Sequence, residues 1–242
     1  MMPNDISTYS LQDFMPMESE VYFRLFVRQN EAVWPWQGVA LLLGLVACYL
    51  IWQRHHVWQA RAAGLIVGSA WAWVGYSFHM QLHGELNWAA TYMGWAFIVQ
   101  GALMAAWGLR ARAVNDCAST RARAWLGLAL IVYGFIVYPL LGPLSGRSWA
   151  GIELFGTAPD PTAIVTLGLL LLTPRLPWLF AVIPALWCLY SGATWWAMDW
   201  QAGVATPVTV AIFFFAAFMP NRLRCRQASD QSTLSASERR LQ

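Results

Sequence analysis

Two histidines and the polar residues beside them form the first candidate site in this 242-residue sequence. Tyr76, His79 and His83 follow helical spacing (i, i+3, i+7), so one helix face could present both imidazoles. Glu85 and Asn87 follow directly. An imidazole beside a carboxylate responds to protons, and two imidazoles four residues apart suit a transition metal. We therefore expect this stretch to bind a solute or a proton. A metal on His79 and His83 is a second interpretation, and interfacial histidines without any function are a third.

A second candidate is Asp160, which lies between two prolines in the run Gly156-Thr-Ala-Pro-Asp-Pro-Thr162. Asp160 stands where an N-cap is expected, and Pro161 suits the first position of a helix. A broken helix whose N-terminus opens on a cavity can form the substrate site of a transporter. The alternative is that Asp160 only caps its helix. Trp73 could stack on a planar or cationic solute, or simply fill space between helices.

The elements that carry these residues are predicted to be membrane helices. Hydrophobic residues make up 58% of the chain and charged residues 11%, whereas soluble domains are about a quarter charged. A helix needs about 20 mostly apolar residues to cross a bilayer. We expect an all-α integral membrane bundle of about seven transmembrane helices, formed by Val33–Trp52, Ala62–Met80, Leu86–Leu109, Trp125–Leu144, Pro161–Thr173, Trp178–Met198 and Val204–Met219. The fifth of these covers only about 20 Å.

The distribution of charge predicts the orientation of the chain. The net charge is +3, and most of the 15 basic residues, all arginines, lie on one side of the predicted spans, while the acids concentrate on the other. The positive-inside rule then places the N-terminus outside and the C-terminus in the cytoplasm. We expect residues 1–32 to form an extracytoplasmic segment, 33–220 the transmembrane domain and 221–242 a disordered cytoplasmic tail. Because the arginines flank apolar stretches, no nucleic acid partner is expected.

The extracytoplasmic segment contains an amphipathic pattern at Met17–Glu31 that predicts a helix on the outer surface. This helix is either a lid over an outer cavity or an interfacial anchor. Within the spans, Gln37 and Gln100 need hydrogen-bond partners, and Pro139 and Pro184 are expected to kink their helices.

Several short runs resemble an uncharacterised family of small bacterial polytopic membrane proteins. They are Tyr22–Asn30 with Trp34-Pro35, Trp71–His79, Asn87–Ala90, Tyr138-Pro139, and Phe155–Thr162 followed by Leu167–Leu169. The family is a domain of unknown function whose members are sometimes labelled permeases, and the resemblance covers roughly residues 10–220. It implies a multi-pass protein of the bacterial inner membrane, with no assigned substrate or catalytic residue. Family members often carry Cys at the position of Asp160, so a thiol mechanism is not expected here.

Together these observations favour a small-solute permease over an enzyme. Its cavity would open outward between the second, third and fifth spans, with Tyr76, His79, His83, Glu85 and Asp160 binding solute or a coupling proton. The alternatives are a membrane-embedded metal-dependent enzyme and a structural or sensory subunit. The chain has no Lys for a retinal Schiff base and no glycine-rich phosphate loop. The expected partners are the lipid bilayer, a small solute, and a second copy or another membrane protein; no cofactor is expected.

Overall fold

The computed structural model describes residues 19–53, 55–111, 117–219 and 224–225, and within these ranges the chain is almost entirely helical. A two-residue antiparallel pair joins β1 (Cys117–Ala118) and β2 (Arg224–Cys225). The predicted tail lies outside the described residues except for β2, as do residues 1–18.

All seven predicted apolar stretches form helices, and an amphipathic helix precedes them. The helices are α1 (Ser19–Val33), α2 (Trp36–Gln53), α3 (Val57–Val74), α4 (Gly84–Leu86), α5 (Ala90–Leu109), α6 (Arg121–Val132), α7 (Tyr138–Leu144), α8 (Pro159–Leu171), α9 (Leu179–Ala197) and α10 (Ala205–Phe218). Two π-helical segments, Gly75–His83 and Tyr133–Val137, make α3–α4 and α6–α7 continuous. Short 3₁₀ turns lie at Trp149–Gly151 and Gln201–Val204.

Four of these helices are long and apolar enough to cross a membrane. They cover Trp36–Gln53, Ala90–Leu109, Arg121–Leu144 and Leu179–Ala197. Large side chains on their outer faces, such as Leu42 and Leu186, are about 60% exposed, which suits contact with hydrocarbon. The helices α8 and α10 are apolar but shorter, and Gln59 and Arg61 lower the hydropathy of α3. These features are compatible with a membrane protein.

Helices α3 and α5 pack with their backbones in contact because glycines face each other across the interface. Gly64 faces Gly108, and Gly68 faces Gly101. A Cβ atom at Gly68 would lie only 2.6 Å from the carbonyl oxygen of Gly101. Small residues at such crossings let membrane helices approach closely, as they do in this pair.

Helix α8 forms the centre of the bundle, and every one of its 13 residues is buried. It packs against α3, α6, α9 and α10, so protein encloses it on all sides. The irregular chain before it, from Phe155 to Ala158, is also buried. Thr162 Oγ1 accepts a hydrogen bond from the Gly156 N–H at 2.8 Å, which satisfies part of this backbone. Irregular backbone is tolerated at membrane depth where protein surrounds it.

The start of α8 corrects the sequence-based expectation for Asp160. The helix begins at Pro159, with Ala158 as the N-cap, so Asp160 lies in the first turn. Its carboxylate oxygens accept hydrogen bonds from side chains of α7 and α9. A carboxylate in this turn still interacts favourably with the helix dipole.

The opposite end of α8 is closed by Arg123 from α6. The Arg123 Nε donates to the Leu171 carbonyl at 3.2 Å, and its Nη2 donates to the Thr173 carbonyl at 2.8 Å. Arg123 is only 2% exposed. It therefore satisfies C-terminal carbonyls that no intrahelical donor reaches.

The carbonyl group that Pro184 leaves without a donor in α9 accepts a hydrogen bond from a neighbouring helix. A proline cannot donate to the carbonyl four residues earlier, which here belongs to Phe180. Gln100 of α5 is fully buried, and its Nε2 donates to that carbonyl at 2.8 Å. The expectation that Gln100 needs a partner inside the bundle is confirmed.

We expect Arg123→Met to destabilise the protein, because the carbonyls at the end of α8 lose their donors while staying buried. The expected loss in the free energy of unfolding is roughly 1–3 kcal/mol. Thermal unfolding followed by tryptophan fluorescence measures it. Arg121→Met, at an exposed position of the same helix, is the control. Equal unfolding temperatures for the two variants would contradict this role of Arg123.

Candidate functional site

The Asp160 carboxylate is the centre of a buried polar cluster. Asp160 is 1% exposed and accepts hydrogen bonds from four side chains. Trp187 Nε1 donates to Oδ1 at 2.6 Å, while Ser191 Oγ at 2.7 Å, Trp195 Nε1 at 3.1 Å and the Tyr138 hydroxyl donate to Oδ2. Three of the donors come from α9 at positions i, i+4 and i+8, which share one helix face. The cluster thus joins α7, α8 and α9.

The two histidines lie beside this cluster. His79 and His83 are 0% and 3% exposed, and their ring centroids are 5.9 Å apart. Among the described residues, neither ring nitrogen of His79 has a hydrogen-bond partner, and the same holds for His83 Nδ1. The His79 ring lies 4.8 Å from the Trp187 ring, measured between centroids. Because Trp187 also binds Asp160, a single indole connects the histidines to the carboxylate.

The π-helical segment Gly75–His83 explains why Tyr76 does not join the histidines. Hydrogen bonds from i to i+5 widen its turns, so the spacing of an ordinary α-helix no longer applies. Tyr76 is 50% exposed and Trp73 is 46% exposed. Tyr76 therefore does not share the buried setting of His79 and His83.

Glu85 and Asn87 also lie apart from the buried cluster. Glu85 pairs with Arg28 at 3.1 Å, and both side chains are about half exposed. Asn87 Oδ1 accepts a hydrogen bond from the Ala89 N–H at 3.0 Å, just before α5 begins. Among the described residues, no group of three or more His, Cys, Asp or Glu side chains is placed to hold a metal ion.

Helix α1 covers the histidine end of the cluster. Tyr22 and Phe26 are buried on its inner face. The Tyr22 ring lies 5.5 Å from the His83 ring and 5.2 Å from the Trp195 ring. Gln29 Nε2 donates to Ser77 Oγ at 3.0 Å, which fixes α1 to the π-helical segment. Side chains of α1 therefore occupy the space beside His83 and Trp195 at this end of the described bundle.

A buried ion pair borders the same region. Arg147 Nη1 and Glu153 Oε1 are 2.8 Å apart, with the two side chains 8% and 4% exposed. Four aromatic rings surround the guanidinium within the range of cation–π attraction. They belong to Phe23, Phe26, Trp195 and Trp200, with centroids 4.2, 5.3, 5.5 and 5.2 Å from Cζ of Arg147. Burial raises the pKa of Glu153 to about 7, against the opposing effect of Arg147.

A cavity of about 310 Å³ opens at the other end of the bundle, where most of the described arginines lie. It is lined by Ile51, His56, Ala60, Ala63, Gly64, Val67, Met104, Trp107, Gly108, Arg110, Ala111, Thr173, Pro174 and Arg175. Its inner end is at Val67 and Met104. One turn further along α3, the Trp71 ring packs against Phe97 with centroids 4.4 Å apart. The Phe97 ring is in turn 4.5 Å from the His79 ring, so these two aromatic rings separate the cavity from the histidines.

This arrangement, a buried polar cluster inside a bundle of apolar helices, defines a helical protein with a membrane-type architecture. The chain matches a family of unknown function (DUF6064) over residues 19–224 and belongs to that family. The resemblance to an uncharacterised family is thereby confirmed, and the matched range contains both the cluster and the cavity. Comparison with curated proteins and with solved structures finds no match.

Sequence reasoning identified Asp160, His79 and His83 but missed most of the groups around them. Tyr138, Ser191 and Trp195 were not singled out as site residues, and Arg147 was counted only as a charge. The spacing of Trp187, Ser191 and Trp195 along α9 was the available signal. It indicates one polar face on an otherwise apolar helix.

We expect Asp160→Asn to be destabilising by roughly 1–3 kcal/mol. The new amide group faces donors, and an indole N–H cannot turn into an acceptor. Thermal unfolding in detergent measures the effect. Asp199→Asn is the matched control, because Asp199 is exposed and has a φ of 55°, a conformation that Asn tolerates. Equal losses of stability in the two variants would contradict a stabilising role for the hydrogen bonds to Asp160.

The raised pKa of Glu153 predicts a pH-dependent stability. Burial moves this pKa from its ordinary value of 4.5 to about 7, so the folded state keeps a proton that the unfolded state releases. The contribution is complete below about pH 4.5 and is lost as the pH rises through 7, by up to about 3 kcal/mol.

Unfolding measured between about pH 5 and 8 should therefore show stability falling in the wild type and a flatter profile in Glu153→Gln. Glu85→Gln, at the exposed pair with Arg28, should keep the wild-type slope. Parallel profiles for wild type and Glu153→Gln would contradict the prediction.

Proposed function

We propose that this protein is a proton-coupled transporter for a small solute, with α1 as its outer lid. In this proposal seven helical units cross a bacterial inner membrane, namely α2, α3–α4, α5, α6–α7, α8, α9 and α10. The N-terminus lies outside and the arginine-rich end faces the cytoplasm. The charge distribution of the sequence supports this orientation through the positive-inside rule.

The observation that carries the proposal is the burial of ionisable groups at the start of an enclosed, interrupted helix. Asp160, His79 and His83 are each at most 3% exposed within a bundle of apolar helices. Ionisable side chains in such a setting are costly, and they commonly mark ion or substrate pathways. Interrupted helices that begin inside the bundle are a recurrent way of building transporter sites.

The unsatisfied imidazole nitrogens suit a proton-binding role. A neutral imidazole has one donor and one acceptor, and in His79 neither has a partner within the described part of the chain. Trp187 contacts the His79 ring and binds Asp160. A proton or solute that binds the histidines therefore changes the surroundings of the indole that binds the carboxylate.

The two ends of the bundle differ in the way that alternating access requires. Helix α1 closes the histidine end, where Tyr22 and Phe26 are buried. The other end has the 310 Å³ cavity, which stops at the layer of Trp71 and Phe97. Transporters expose a central site to one side at a time, and this arrangement corresponds to a state closed outside, with a vestibule inside.

A structural or partner-binding role is the second candidate. The four hydrogen bonds to Asp160 favour it, because a buried carboxylate satisfied in this way can serve packing alone. The unpartnered nitrogens of His79 argue for transport instead. A metal-dependent enzyme has less support, since the two histidines have no third ligand among the described residues.

Solute-driven proton movement in proteoliposomes tests the proposed function. The vesicles contain a pH-sensitive dye, and small organic acids, amines and sugars are added outside. We expect one solute class to change the internal pH with wild-type protein and His79→Gln to slow this change at least tenfold. His55→Gln, an exposed histidine at the other end, should behave like wild type.

Orientation in the vesicles is controlled by labelling Ser148→Cys with an impermeant maleimide, since Ser148 is exposed at the α1 end. Absence of proton movement with every solute class, in vesicles that contain both orientations, would overturn the transport proposal and leave the structural role.

A further inference from the structure

The cavity at the arginine-rich end has a charge that selects its ligand. Its exposed rim includes His56, Arg110 and Arg175, while none of the described residues that line it is acidic. Charges at a partly solvated cavity interact at an effective dielectric well below that of water. The rim therefore attracts an anion and repels a cation.

Behind this rim the walls are apolar. Ala60, Ala63, Gly64 and Val67 line it from α3 at spacing i, i+3, i+4 and i+7, which is one continuous helix face. From His56 to Val67 the helix rises by about 16 Å. The cavity is therefore elongated, with a basic mouth and an apolar interior.

The size of the cavity limits the ligand further. Its volume of about 310 Å³ is close to the lower bound for small-molecule sites. Gly64 and Gly108 are in close contact on this side of the cavity, so neither helix has space for a larger side chain at these two positions. A ligand that fits has one charged head and a short apolar chain, and bulky or polar-bodied molecules do not match these walls.

We propose that this cavity binds a small organic anion with an apolar chain, a medium-chain monocarboxylate in chemical class, and that this is the solute class the transporter carries. Only the second claim, that the transporter carries this anion, rests on the proposed function. The carboxylate lies at the rim of His56, Arg110 and Arg175, and the chain lies along α3 towards Val67 and Met104. In that position the chain ends next to Trp71, below the rings that separate it from His79.

The proposal also accounts for the histidines above the aromatic layer. A monocarboxylate that crosses with one proton carries no net charge. His79 lies directly beside the aromatic layer, where it can hold such a proton, because the Phe97 ring contacts its imidazole. The transported pair is therefore a carboxylate and its proton.

Calorimetric titration of the purified protein in phosphatidylcholine nanodiscs tests the site. The probes are octanoate, octanol and octyltrimethylammonium, which share a chain and differ in charge. We expect octanoate to bind and the other two to bind at least tenfold more weakly. The double variant Arg110→Gln/Arg175→Gln should weaken octanoate binding at least tenfold, and Arg121→Gln, an exposed arginine that does not line the cavity, should leave it unchanged.

Ala60→Trp supplies an independent test, because an indole at this partly exposed wall position fills the cavity without removing a charge. It should abolish octanoate binding while the unfolding temperature stays near that of wild type. Equal affinities for octanoate and octanol would overturn the anion assignment. A second set of nanodiscs with phosphatidylglycerol identifies a lipid source, and competition by that lipid with no octanoate binding would overturn the solute assignment.

Different experimental results would refute the transport proposal and the anion-site proposal. Octanoate that binds in an Arg110- and Arg175-dependent way, without any solute-driven proton movement in vesicles, would refute transport and keep the anion site. Proton movement driven only by an amine or a sugar, with no octanoate binding, would keep transport and refute the anion site.

Discussion

The rest of the bundle depends on keeping the 13 residues of α8 enclosed by protein. This helix is too short to match a bilayer core, which a helix of about 20 residues spans, so its ends must find polar partners inside the protein. Asp160 meets donors from α7 and α9 near one end, and Arg123 from α6 binds carbonyls at the other. The interactions that complete α8 therefore also hold its neighbours in position, and the candidate site cannot be separated from the architecture.

The sequence predicts the apolar helices well, because a long hydrophobic run is compatible with few structures other than an apolar helix. The sixth stretch, expected at Trp178–Met198, forms a helix at Leu179–Ala197. The π-helical segment could not be predicted in the same way. Its wide turns occur where Gly75 packs against the Gly94 carbonyl oxygen of α5, at 2.7 Å from an added Cβ, and this contact between distant residues leaves no local pattern. The half-exposed setting of Tyr76 is therefore not evident from the local sequence.

The candidate site was only partly predictable, for a related reason. The Pro-Asp-Pro run identified Asp160, because prolines at a helix start are a local signal. Its partner Tyr138 lies 22 residues away along the chain, and only the tertiary fold brings the two together. The amphipathic pattern of α1 likewise predicted an inner face with Phe26, but it contained no information on what that face covers. Local periodicity identifies which side is buried, while packing decides the neighbour.

The pairing of Gln100 with the carbonyl that Pro184 leaves free has an evolutionary consequence. Without the proline, the Phe180 carbonyl would also bond within α9, and the buried Gln100 amide would have to share this acceptor with a backbone N–H. Without the glutamine, the proline would leave a bare carbonyl inside the bundle. Neither residue is advantageous alone, so substitutions at positions 100 and 184 should be inherited together, and a relative that has lost one should have lost the other.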